Sequence, residues 1–190
     1  MRCWRSARSL GLALLLGFWS LASLAGAIEP LRGNLTPGED GYALSAEFAI
    51  DLGPRLEEAV SRGVPLVFNL EFTLSRDRWY WLDEHVAGLL VTYRLSYNAL
   101  TRQYRLSVGG LHQSFDTLQE AVQVLGHVGS MPVADKSALK PGQTYLAALR
   151  LALDKTQLPK PFQVDAIANR DWMVETKVLR WQFTPGGDSK

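Results

Sequence analysis

The sequence predicts a mainly β, α+β fold: an antiparallel sheet or sandwich of about seven strands with two short helices. Three observations carry that expectation. Apolar residues alternate with a period of two in separate segments, most cleanly over Tyr42–Ile50, Val64–Leu74 and Tyr145–Leu153. Turn chemistry separates the segments, as at Pro37-Gly38-Glu39-Asp40-Gly41 and Asn98-Ala99-Leu100-Thr101. Apolar residues at helical spacing occur in two short stretches, near residues 54–62 and 117–127.

Residues 1–27 stand apart. Arg2, Arg5 and Arg8 form a positive n-region, Leu10–Leu24 is uncharged and leucine-rich, and Ala25-Gly26-Ala27 offers the small residues a signal peptidase reads. The expectation is a cleavable secretory signal peptide cut after Ala27, leaving one globular domain, residues 28–190, in the periplasm. The apolar run of 15 residues falls short of the ~20 needed to span a bilayer core, so no stable membrane insertion is expected after cleavage. A lipid anchor does not fit either, because Ala27 stands where the acylated cysteine would be.

Along the remaining chain, a short strand is expected around Leu31–Leu35, joined by the Pro37–Gly41 turn to the Tyr42–Ile50 strand. Pro54 suits a first helical turn and Gly63 a stop, which frames a helix over 54–62. Val64–Leu74 then puts Val64, Leu66, Phe68, Leu70, Phe72 and Leu74 on one face. Leu89–Tyr97 and Gln103–Val108 read as a hairpin that brings Tyr97 against Tyr104, and Leu111–Phe115 extends the sheet past Gly109-Gly110. Asp116 or Thr117 can cap the second helix, and Gly126 or Gly129 can end it. Residues 131–142 read as irregular, Tyr145–Leu153 as a strand, 162–170 as either strand or helix, and Trp172–Phe183 as a final strand. Loose ends are expected at 28–33 and in the tail 185–190. Phe68, Phe72, Leu149 and Leu151 are the expected core.

Composition narrows the function classes. Losing three arginines with the signal leaves 17 basic against 19 acidic side chains, a net charge of −2. Nucleic-acid binding selects a clustered basic face, and the charges here are interspersed. The single cysteine, Cys3, lies inside the signal, so the mature chain holds no disulfide, thiol nucleophile or thiolate metal site. No two histidines lie three to five residues apart, which argues against a zinc site. There is neither a Gly-x-Ser-x-Gly elbow nor a glycine-rich phosphate loop with a following lysine. No catalytic, metal or cofactor set is therefore assigned.

The densest segment is Ser75-Arg76-Asp77-Arg78-Trp79-Tyr80-Trp81-Leu82-Asp83-Glu84-His85. As a strand it would send Trp79 and Trp81 into the core, with arginines and acids pairing at the rim; aromatics dominate cores as well as interfaces. As part of the reversal between the flanking strands it would present Arg78, Trp79, Tyr80, Trp81 and Asp83 as a contact surface, because binding residues concentrate on loops held by a rigid scaffold. Asp77, Asp83, Asp154 and Asp171 are the candidates for a carboxylate pair, and most read as turn or salt-bridge residues.

Taken together, Gly63-Val64-Pro65-Leu66, Arg78-Trp79-Tyr80-Trp81, Leu95-Ser96-Tyr97 through Gln103-Tyr104-Arg105, Leu153-Asp154 with Leu158-Pro159-Lys160-Pro161, and Trp172 and Trp181 resemble an exported proteobacterial family. It is classed as domain of unknown function 4390 and sometimes labelled a proline-rich signal-peptide protein, although this chain is not proline-rich. The resemblance spans nearly all of residues 28–190 and implies no catalytic residue. Family genes neighbouring one for a membrane-bound sensor kinase imply an envelope role by association. The expected function is a non-enzymatic periplasmic binding or interaction domain, accessory to an envelope sensor, whose partner is another envelope protein or a small ligand. A carboxylate-based hydrolase or carbohydrate-active enzyme is the first alternative, and a carrier of apolar ligands or lipids the second.

Overall fold

A computed structural model describes residues 26–76, 84–168, 172 and 174–186. In chain order its elements are β1 (Gly26–Pro37), β2 (Gly41–Asp51), α1 (Gly53–Ser61), β3 (Leu66–Arg76), β4 (Glu84–Asn98), β5 (Gln103–Val108), β6 (Leu111–Phe115), α2 (Leu118–Leu125), β7 (His127–Asp135), β8 (Tyr145–Leu153), α3 (Lys160–Ala168), β9 (Val174–Thr176) and β10 (Leu179–Phe183). One sheet has four strands in the order β7-β2-β1-β9, the other six in the order β10-β8-β3-β4-β5-β6. All pairings are antiparallel except that of three-residue β9 beside β1.

The alternation read from the sequence sets the inner faces. On β2, Leu44, Ala46 and Phe48 are buried; on β3, Leu66, Phe68, Leu70, Phe72 and Leu74; on β8, Tyr145, Ala147, Leu149 and Leu151. These residues join one continuous core between the sheets. The four expected core residues, Phe68, Phe72, Leu149 and Leu151, are all 0–1% exposed. The sheets come close at Gly33 of β1, where an added Cβ would lie 2.9 Å from Leu179 Cδ2 and 3.0 Å from the Trp181 ring. Tyr42 meets Phe183 edge-on, 5.4 Å between ring centroids, across the same gap.

Local signals place the connections. Pro54 opens α1, which buries Leu56, Ala59 and Val60. Thr117 caps α2 by accepting a hydrogen bond from Glu120 N at 3.2 Å, and Gly126 is its C-cap. Gly109, at φ 55°, allows the two-residue turn between β5 and β6. Tyr97 and Tyr104 are cross-strand partners with rings 4.9 Å apart, as the hairpin reading expects.

Four local expectations need correction. Residues 28–33 are not loose: they belong to β1, and Ile28 is fully buried. Residues 131–135, read as irregular, lie in β7. Its register against β2 shifts twice, between Tyr42 and Ala43 and between Leu44 and Ala46, and such bulges break the period of two in the sequence. The segment left open between strand and helix takes the helical alternative through Ala168. The last strand does not begin at Trp172: that residue is 3% exposed, packs its ring tilted against Phe162 at 5.5 Å between centroids and precedes the separate strands β9 and β10. Nor is the tail loose at its start: Pro185 is buried, and its carbonyl accepts from Gly142 N at 3.1 Å.

Candidate binding surface at the end of the β3–β4 hairpin

The aromatic connection, with Asp77, Arg78, Trp79, Tyr80, Trp81 and Asp83, lies outside the described residues, as does Asp171. Its base is well defined. β3 and β4 pair from Leu66↔Leu95 out to Arg76↔Glu84. The register shifts once, because Leu74 faces Ala87 and Ser75 faces His85, which leaves Val86 as the extra residue. Bulges re-aim side chains, and this one turns His85 over Gly88: a Cβ there would stand 2.9 Å from His85 Cε1.

Beyond the bulge the inner face changes from apolar to polar. Arg76 Nη2 forms a close ion pair with Glu84 Oε2, and Arg76 Nη1 donates to Gln143 Oε1 at 3.3 Å. The Arg76 side chain is 21% exposed, so this pair lies deeper than an ordinary surface bridge. Lys140 N donates to the Tyr145 hydroxyl oxygen at 2.9 Å. Together Arg76, Glu84, His85, Lys140 and Tyr145 line a cleft of about 310 Å³, with Val86 and Ala138 as its apolar wall. Such a lining suits a ligand with both donor and acceptor groups, or the polar rim of a larger contact. Gln143, Lys140 and Tyr145 were not among the expected site residues. Lys140 and Gln143 come from the segment before β8 and Tyr145 is its first residue, and the pairing of β8 with β3 brings them here.

The remaining candidates are dispersed. Asp154 is a turn residue: its Oδ1 accepts from Thr156 N at 3.0 Å and Thr156 Oγ1 at 2.6 Å, and its Oδ2 from Asn69 at 3.3 Å. His127 sits beside Glu47 at 3.5 Å on the other sheet, and His112 is on β6. Among the described residues no three His, Cys, Asp or Glu side chains come together as a metal-binding group. Burial holds the Tyr93 phenol above its ordinary pKa, which keeps that core tyrosine neutral. A second cleft, about 420 Å³, lies between the Gly38–Ala43 turn and Ser130–Asp135. Glu39, Asp40 and Asp135 rim it, and Lys136 Nζ donates to the Glu39 carbonyl at 2.6 Å.

A profile described as "Domain of unknown function (DUF4390)" matches residues 27–182. The chain belongs to this family. The match covers every described strand and helix from Ala27 to Gln182, so the two-sheet architecture is that of the family domain in this chain. No curated protein and no solved structure matches the chain. No helix among the described residues is long and apolar enough to cross a membrane.

Proposed function

We propose that the chain is an exported, non-enzymatic binding or interaction domain, accessory to an envelope partner, whose contact surface is the connection 77–83 and the cleft at its base. The anchoring of that connection carries the reading. The strands that flank it stay paired to their last residues, and the Arg76–Glu84 ion pair closes them, with Gln143 tying Arg76 to the chain leading into β8. A seven-residue connection clamped in this way offers Arg78, Trp79, Tyr80, Trp81 and Asp83 from a rigid base. Indole and phenol rings supply large contact areas with few torsions to immobilise, and a guanidinium supplies a bidentate fork.

Export rests on the three-part pattern of residues 1–27. N-terminal sequencing of protein taken from its cells is expected to begin at Ile28; a chain beginning at Met1 would sink that half of the reading. The binding half is tested by photocrosslinking in intact cells from positions 79 and 81, with Trp79→Ala, Tyr80→Ala and Trp81→Ala as variants. At least one substitution is expected to abolish capture while leaving the thermal midpoint within about 2 °C, as for a surface residue. Unfolding by all three would make the segment core and remove the surface.

A further inference from the structure

An open sheet edge invites another strand, and natural proteins protect such edges. Among the described residues there are four such edges, and three of them carry a protective device. β7 has two register shifts and Pro132; β9 has only three residues; β10 carries Arg180 at its second position. The fourth, β6, has none. Leu111-His112-Gln113-Ser114-Phe115 contains no lysine, arginine, acid or proline, and its pairing with β5 is free of register shifts. Residues Leu111 to Ser114 are exposed, Leu111 at 77%. Among the described residues, no strand pairs with its outer side.

Geometry dictates what that edge offers. The two-residue turn joins Val108 to Leu111, so this pair exchanges hydrogen bonds, and the pattern alternates onward to Leu106/Gln113 and Tyr104/Phe115. The N–H and C=O groups of Leu111, Gln113 and Phe115 are therefore taken by β5. Those of His112 and Ser114 point outward.

We propose that β6 is a self-association edge, which pairs antiparallel with β6 of a second copy about a twofold axis at Gln113. In that register His112 faces Ser114 of the other copy, twice by symmetry, and all four outward-pointing groups on each strand are matched. The side chains match as well. Leu111 lies opposite the second copy's Phe115 and Gln113 opposite itself, so the sequence reads apolar–polar–polar–polar–apolar in either direction. No pair of like charges meets along the strand. Moving the axis to His112 or Ser114 would halve the hydrogen bonds and remove the Leu–Phe pairs. A twofold contact also closes on itself and yields a dimer with a continuous twelve-stranded sheet instead of a filament. Five residues of strand pairing sit at the small end of specific interfaces, which makes this dimer reversible and concentration-dependent.

The test is sedimentation equilibrium of the purified chain over a concentration series. Wild type should rise from monomer mass towards dimer mass. Gln113→Lys and Gln113→Glu each place like charges across the axis and should each weaken association at least about tenfold, while their equimolar mixture should recover it. Gln113 is exposed, so both variants should keep the wild-type thermal midpoint. Ser114→Pro removes an outward N–H without touching the β5 ladder and should weaken association independently. Three outcomes would overturn the proposal: a wild type that stays monomeric throughout, as an edge reserved for an unrelated peptide would; association unmoved by the charged variants; or a mixture that fails to recover. The proposal stands apart from the contact surface at the other hairpin, and neither result depends on the other.

Discussion

β3 and β6 lie in the same six-stranded sheet but live in different environments. β3 is paired on both sides, by β4 and β8, and five of its side chains are sealed between the sheets. β6 is paired on one side, and four of its five residues face solvent. The contrast teaches that strand geometry and strand energetics are set separately. Register is even more regular at β6, whose pairing with β5 has no shift, than at β3, whose pairing with β4 shifts once, yet the stabilisation comes from apolar area removed from water, which β3 supplies and β6 does not. It also explains where the self-association edge is proposed: at the margin of the sheet, where the β6 backbone is paired on one side but most of its side chains are not committed to the core.

The contrast can be tested by substitution, beginning with the largest effect. Phe72→Ala deletes a ring that is 1% exposed and packs 6.1 Å from the Trp181 ring, and should cost about 3–5 kcal/mol in a denaturant series. A loss under about 1 kcal/mol would mean that the β3 face is not the core. Gly33→Val probes the opposite sheet. Its Cβ would sit about 3 Å from Leu179 and Trp181, and overpacking of that kind should cost about 1–3 kcal/mol, visible as a lower urea midpoint with an unchanged slope. Thr117→Ala removes the cap of the helix that follows β6 and should cost about 1 kcal/mol, and Thr117→Ser should restore most of it. Gln113→Ala, in β6 itself, should change monomer stability by less than about 0.5 kcal/mol at dilute concentration. A larger loss would show that the edge strand contributes to the core after all.

Legibility followed regularity. β2, β3 and β8 were readable because each keeps one face apolar for nine residues or more without a bulge, and α1 because Pro54 and Gly63 bracket it. β7 was not readable: two register shifts against β2 move its inward residues out of phase, and no local rule announces a bulge. α3 was obscured by Pro159 and Pro161, which read as an interruption. The structure seats Pro161 in the first turn of that helix, where a missing N–H costs nothing. Within the candidate surface, the Arg76-to-Glu84 segment could be found from its density of aromatics and charges. Gln143, Lys140 and Tyr145 could not, since they lie some sixty residues further along the chain.

By itself, then, the sequence determined the class of the fold, the inner faces of β2, β3 and β8 and the hairpin that joins β4 to β5. These depend on residues close together in the chain, through alternation and turn chemistry. Tertiary structure alone decided that there are two sheets, that β8 inserts beside β3 and not beside its sequence neighbour, and that β6 is left as an edge. The physical reason is that an apolar face specifies burial but not the partner that buries it. Many pairings satisfy the same alternation, and the choice among them rests on contacts such as Gly33 against Trp181 and Arg76 with Gln143, each made between residues distant in sequence.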